Sequence, residues 1–161
     1  GNGLLALLEH PEQLERWRSD PALDASAIDE LLRFNGPVQN TVRVPLEPVT
    51  YTGLDGEPIV VDPGSIVTTC LGAANRDPAL FDKPDELRLD RPNAQRHLAL
   101  ASGIHYCLGA SLARMEASVA LTRLIRRFDR IELCRGLRHQ LFTIELGQRL
   151  RLFVGREFNF F

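Results

Sequence analysis

The sequence predicts a mainly helical protein with small β-sheets, the α+β class. Apolar residues recur at helical spacing along residues 108–128, and shorter helical segments precede them. Between these lie short runs rich in β-branched residues, separated by Gly, Asp and Pro turns, as is typical of small antiparallel sheets. A chain of 161 residues with 44% hydrophobic content has the size of one domain. We therefore assign residues 1–161 to a single unit.

Two helices are predicted in the first quarter of the chain. Pro11 suits the first turn of a helix over residues 11–18, because that position needs no backbone N–H. A second helix is predicted over residues 26–34, and the sequence Asn35-Gly36-Pro37 ends it.

The strands and the long helix follow in that order. Strands are predicted at residues 41–44, 49–52, 58–61 and 65–71. Residues 77–103 are proline-rich, charged and irregular, and an ordered loop of that length usually serves a function. The helix over residues 108–128 comes next. Closing strands are predicted at residues 131–133, 141–146 and 150–154.

Charge and cysteine content exclude several functions. The formal net charge of −2 gives no basic field for a nucleic-acid partner. No apolar run reaches membrane-spanning length, so we expect no membrane partner. The three cysteines are odd in number and lack a Cys-x-x-Cys spacing, which disfavours a disulfide framework and a zinc site. A reducing cytoplasmic location fits this pattern best.

Cys107 is the main candidate for chemistry. It lies between a glycine-bearing turn and the start of the predicted long helix, where helix amides favour a thiolate over a thiol. Such a thiolate suits the axial position of a haem iron. Gly103 allows a tight turn, and Gly109 keeps bulk away from a flat cofactor. The alternative is a buried structural cysteine, the commoner role of a lone cysteine.

The run over residues 100–109 resembles the haem-binding loop of the cytochrome P-450 family, especially its bacterial members. The family pattern is Phe-Gly-x-Gly-x-His-x-Cys-x-Gly, and four of its positions match here: Gly103, His105, Cys107 and Gly109. Leu100 and Ala101 replace the phenylalanine and the first glycine. Leucine can still cover the apolar side of the sulfur, whereas alanine at 101 requires a turn with negative φ.

A second resemblance concerns Glu30 and Arg33, which lie three residues apart on one face of a predicted helix. By itself such a pair is usually an exposed ion pair of little energetic value. It is similar, however, to the Glu-x-x-Arg helix of the same family. There the pair is buried and joined by a second arginine, and Arg91 matches that third position. The resemblance therefore implies a buried structural triad without direct chemistry.

The resemblance also implies a cofactor site. The cofactor would be haem b (iron protoporphyrin IX), with Cys107 as its iron ligand and His105 and Arg43 binding its carboxylates. The other residues implied at the haem are Leu100, Gly103, Ile104 and Gly109. Val38 and Gln39 would line the substrate pocket. The alternatives are an exposed strand arginine for residue 43 and a loop histidine with ordinary partners for residue 105.

The implied function is a haem-thiolate monooxygenase. It would insert one oxygen atom of O2 into a small organic substrate, with electrons from a ferredoxin-type iron–sulfur protein. Arg114, Arg123 and Arg127 are candidates for that docking face, and a solvated helix face is the simpler interpretation of each. Two alternatives stay open: a haem-thiolate peroxygenase or rearrangement enzyme, and a non-catalytic truncated haem-binding module.

The resemblance covers only part of the family's chain. Members of the family are much longer, and the first residues here are similar to the end of their long central helix. We therefore expect this chain to be the C-terminal haem-binding portion of a longer protein, or a truncated relative. Since the central helix handles oxygen and protons, the 161 residues alone are expected to be inactive.

Overall fold

The computed structural model describes the backbone of residues 1–134, 141–145 and 151–154, and the side chains of residues 1–132. Within these residues the protein is mainly helical and carries small antiparallel sheets. This architecture confirms the α+β fold class. No helix in this part of the chain combines the length and the apolar character needed to cross a membrane.

The helices supply the hydrophobic core. The five α-helices of the described part are α1 (Asn2–Glu9), α2 (Pro11–Ser19), α3 (Asp24–Asn35), α4 (Leu71–Ala74) and α5 (Ala110–Arg127). Short 3-10 turns span Pro21–Leu23, Ala94–Arg96 and Gly103–His105. Four consecutive residues of α1, Leu4 to Leu7, are all buried, and this helix packs against α2 and α3. Trp17 and Ile125 complete the centre of the core, and both are fully buried.

The sheets are small and lie beside the helical core. The strands are β1 (Asn40–Arg43), β2 (Val49–Thr52), β3 (Pro58–Val61), β4 (Val67–Cys70), β5 (Ile131–Cys134), β6 (Leu141–Glu145) and β7 (Arg151–Val154). β1 pairs with β4, β2 pairs with β3, and β6 lies between β5 and β7, all antiparallel. Most residues of β1–β4 are exposed, so these strands add little to the core.

Several boundaries differ from the sequence prediction. Helix α3 begins at Asp24 rather than at residue 26, because a 3-10 turn capped by Asp20 leads directly into it. Strand β4 is shorter than residues 65–71 at both ends. A turn around Gly64, whose φ is +81°, delays its start, and the short helix α4, which the sequence did not predict, ends it.

Candidate functional site

Cys107 lies in a turn between the 3-10 turn Gly103–His105 and helix α5. Its backbone N–H donates to the Leu100 carbonyl at 3.0 Å, and its carbonyl accepts from the Ala110 N–H at 3.1 Å. The backbone is thus held on both sides while the residue is exposed. The sequence placed Cys107 directly at a helix start from residue 108. That boundary is wrong, because Gly109 caps α5 and the first helical residue is Ala110.

The surface around the thiol is open and apolar. Ile104 and Leu108 are 98% and 106% exposed, and further exposed apolar side chains follow along α5: Leu112, Met115 and Val119. A Cβ built on Gly103 would meet no atom within 4 Å, and one on Gly109 would meet only the Cys107 Sγ, at 3.8 Å. A soft sulfur donor in an uncrowded apolar surface fits a flat apolar iron cofactor.

The two side chains predicted to bind the cofactor's carboxylates are both exposed. His105 closes the 3-10 turn two residues before Cys107. Arg43 ends strand β1, where its Nη1 donates to the Val42 carbonyl at 2.8 Å. Exposure leaves both groups accessible to an anionic ligand. Their roles toward haem stay predictions.

The predicted substrate segment starts beside the cysteine loop. A Cβ on Gly36 would lie 2.9 Å from the Cβ of Ala99, so the chain after α3 approaches the residue that precedes Leu100. Val38 is exposed, as a pocket-lining side chain requires. Gln39 instead uses its amide group to bond the Gly36 carbonyl at 2.5 Å. The substrate roles of Val38 and Gln39 stay predictions.

Ala101 departs from the expected geometry. The sequence required a negative φ there, but the φ of Ala101 is +59°. A left-handed conformation costs an L-residue with a Cβ about 1–2 kcal/mol, a cost that glycine avoids. The turn therefore has a left-handed conformation that glycine adopts without this cost, although an alanine occupies the position.

Replacing Ala101 with glycine is expected to raise the free energy of unfolding by up to about 1 kcal/mol, because strain is removed from the folded state. Ala79→Gly is the matched control, since Ala79 is an exposed loop residue without positive φ. The control should lower stability by about 0.5 kcal/mol through unfolded-chain entropy. Chemical denaturation measures both effects, and equal destabilisation by the two changes would contradict the prediction.

Glu30, Arg33 and Arg91 meet in the protein interior. The Glu30 carboxylate accepts from Arg33 Nε at 2.7 Å and from Arg33 Nη2 at 2.9 Å. Arg91 Nε lies 3.0 and 3.1 Å from the two carboxylate oxygens. The three side chains are at most 1% exposed, so this is not a surface ion pair.

The cluster has two arginines but one carboxylate, so one positive charge has no counter-charge. Backbone carbonyl groups balance that charge. Arg33 donates to three carbonyls, those of Asn75, Pro84 and Glu86. Arg91 likewise donates to the carbonyls of Asp82, Lys83 and Glu86. The irregular loop around residues 82–86 lacks a regular hydrogen-bond ladder, and buried carbonyls without donors are costly. The arginines therefore order the irregular loop around residues 82–86.

A second polar network lies nearer to Cys107, and sequence reasoning missed most of it. Asp29 bonds His97 Nε2 at 3.2 Å and Arg114 Nε at 2.8 Å, and Arg114 Nη1 donates to the Tyr106 hydroxyl at 2.8 Å. The pKa of the Asp29 carboxyl is held below its usual value, chiefly by the bond with His97; burial opposes this shift and the Arg114 bond adds to it. Arg114, predicted as a candidate for partner docking, is thus engaged within the protein.

Comparison with models of known protein families identifies the family of this chain. The family model described as cytochrome P450 matches residues 21–143, which include the Glu30 cluster and the cysteine loop. This chain belongs to the cytochrome P-450 family. This is the family that the sequence motifs resemble. Those motifs are the cysteine loop, the Glu-x-x-Arg helix and the arginine of the irregular loop.

Individual cytochromes P-450 are similar over most of this chain. The biotin biosynthesis cytochrome P-450 of Bacillus subtilis is 42% identical over 133 residues, which are 82% of this chain and 32% of that protein. The vitamin D(3) 25-hydroxylase of Pseudonocardia autotrophica is 43% identical over 138 residues, or 85% of this chain and 33% of the relative. The chain thus spans about a third of the length of these relatives.

Solved structures agree with the sequence comparison. A cytochrome P-450 in complex with an acyl carrier protein ligated to hexadec-9Z-enoic acid has a TM-score of 0.75 and 40% identity, covering 83% of this chain and 33% of that one. The Bacillus subtilis cytochrome P-450 of bacillaene polyketide synthase has a TM-score of 0.76 and 39% identity, covering 84% and 34%. The helical core and small sheets are therefore those of the cytochrome P-450 fold.

Proposed function

We propose that this chain is the C-terminal haem-binding portion of a haem-thiolate monooxygenase that inserts one oxygen atom of O2 into a small organic substrate. The exposed Cys107 in its open apolar surface is the observation that carries this proposal. The sequence relatives, which include a hydroxylase, support the reaction class. The chain has no Cys-x-x-Cys-His sequence for covalent attachment, which favours non-covalently bound haem b.

The residues would divide the binding task by their chemistry. Cys107 would supply the axial sulfur, while His105 and Arg43 would bind the carboxylates. Ile104 and Leu108 would contact the apolar face, and the open space at Gly103 and Gly109 would let the flat group approach the backbone. When bound, the haem supplies the oxygen-activating chemistry, and the protein contributes binding, orientation and electronic tuning.

Electrons would come from a ferredoxin-type protein docking on the face that carries the cysteine loop. Of the arginines predicted for such a surface, Arg114 bonds Asp29 and Tyr106, whereas Arg123 and Arg127 are exposed on α5. Exposed cations of this kind increase the rate of association with an acidic partner more than they increase affinity. We assign Arg123 and Arg127 to that role.

The proposal is tested by comparing the 161-residue chain with the protein expressed from its complete reading frame. We expect the complete product to bind one haem through a thiolate and to form product with O2 and a reductase system. The isolated chain should associate through the exposed face of Leu112, Met115 and Val119, with weak haem uptake and no coupled turnover.

Four other outcomes would contradict the proposal. Product formed with peroxide but not with O2 and electrons would indicate a peroxygenase, and product formed without either would indicate a rearrangement enzyme. Thiolate haem without any product would indicate a non-catalytic haem-binding module. Sustained turnover by the isolated chain would contradict its assignment as an incomplete portion.

A further inference from the structure

The cysteine loop is tied to helix α3 through a single carboxylate. We propose that Arg114 is a positioning residue that holds Tyr106, and with it the adjacent Cys107, in the orientation required for iron ligation. The inference rests on the proposed haem-thiolate function. It concerns how the ligand is held, because Arg114 itself does not contact the sulfur in the described hydrogen bonds.

Arg114 makes its two bonds through different nitrogens. Its Nε donates to Asp29 Oδ1, and its Nη1 donates to the Tyr106 hydroxyl, both at 2.8 Å. Asp29 belongs to α3 and Arg114 to α5, so the guanidinium bridges two core helices before it reaches the loop. A planar guanidinium presents its donors in a fixed arrangement, so anchoring one edge on Asp29 fixes the direction of the other toward Tyr106.

The same carboxylate also reaches the other end of the loop. His97 is buried, and its Nδ1 accepts a hydrogen bond from the Ala99 N–H at 3.1 Å. The ring hydrogen therefore lies on Nε2, which donates a hydrogen bond to Asp29. Ala99 directly precedes Leu100, whose carbonyl accepts the Cys107 N–H. Asp29 therefore anchors the loop through Ala99 at its start and through Tyr106 immediately before the cysteine.

A matched ion pair on the same two helices separates positioning from ordinary helix packing. Arg126 of α5 bonds Asp24 of α3 at 2.6 and 3.0 Å, and Asp24 also accepts from the Trp17 indole at 2.7 Å. Both arginines are about one third exposed, at 29% for Arg114 and 34% for Arg126. Each aspartate keeps a second donor when its arginine is replaced. Only the Arg114 pair continues to the cysteine loop.

The experiment compares Arg114→Gln, Tyr106→Phe and Arg126→Gln in the haem-loaded product of the complete reading frame. The first readout is hydrogen exchange of peptides covering residues 100–109. The second is the rate at which the reduced carbon monoxide complex loses the long-wavelength band of thiolate ligation. We expect Arg114→Gln and Tyr106→Phe to accelerate both by about fivefold, the factor equivalent to ~1 kcal/mol at 25 °C. Arg126→Gln should leave both unchanged.

Two further variants sharpen the result. Arg114→Lys restores the charge beside Asp29 but has one nitrogen, so it should not rescue the loop. The double variant Arg114→Gln with Tyr106→Phe should be no worse than Arg114→Gln alone, because both remove the same bond.

The proposal is overturned if Arg126→Gln and Arg114→Gln act equally, if Tyr106→Phe has no effect, or if Arg114→Lys restores wild-type behaviour. These failures would appear in a protein with a normal thiolate band. Absence of that band from the wild-type protein would instead refute the proposed function, and the positioning role with it.

Discussion

Replacing Cys107 with serine in the product of the complete reading frame is expected to abolish the long-wavelength absorption band of the reduced carbon monoxide complex. That band reports a thiolate bound to haem iron, and serine provides no sulfur. The turn itself should survive the change, because the backbone bonds of residue 107 to Leu100 and Ala110 do not involve the side chain. The measurement is a reduced carbon monoxide difference spectrum together with the haem content of the purified protein.

The other cysteines provide the controls for this prediction. Cys70 is also an exposed free thiol, but it ends strand β4 opposite Asn40 and leads into the four-residue helix α4, outside the run that resembles the haem-binding loop. Cys70→Ser should therefore leave the band intact. Cys134→Ser should do the same, although its side chain lies outside the described residues. A band that persists in Cys107→Ser, or disappears in Cys70→Ser, would show that the iron ligand was assigned wrongly.

Glycine and proline residues in the sequence predicted the ends of several helices and strands correctly. Strands β2 and β3 have the predicted bounds because Gly53 and Gly56 form the turn between them. Helix α2 begins at Pro11 as predicted. The boundaries that were predicted wrongly are set by short local turns. Helix α5 begins only after a turn in which the Cys107 carbonyl accepts the Ala110 N–H, and helical periodicity does not reveal such a turn.

The candidate site was predictable only where a motif marks it. The cysteine loop and the Glu30 cluster carry recognisable spacings, whereas His97 is a single histidine without a spacing signal. Asp29 joins it across 68 positions and Arg114 across 85. Such contacts arise from how helices pack, which hydrophobic periodicity does not specify. The one available signal was the position of Asp29 directly before Glu30 on the motif-bearing helix.

Replacing Glu30 with alanine is expected to lower the free energy of unfolding by roughly 3–5 kcal/mol, because it leaves two buried arginines without their carboxylate. It also removes the acceptor of the Arg88 backbone N–H, which bonds Glu30 at 3.0 Å. A loss of this size is a large fraction of a typical domain's stability. We therefore expect poor folding and low haem content, measured by denaturation and by haem per chain.

Glu15→Ala is the matched control, since Glu15 and Arg18 have the same three-residue spacing on a helix and the same 2.7 Å separation. Glu15 is 67% exposed, so its loss should cost less than about 1 kcal/mol. Where Glu30→Ala yields too little folded protein, Glu30→Gln keeps the shape and removes only the charge. Because the buried arginines still lack a counter-charge, Glu30→Gln should remain far less stable than Glu15→Ala. If both Glu30 variants match Glu15→Ala in stability and haem content, the buried cluster does not hold the loop, and the ordering of residues 82–86 must come from the apolar contacts of Phe81, Leu87 and Leu89 instead.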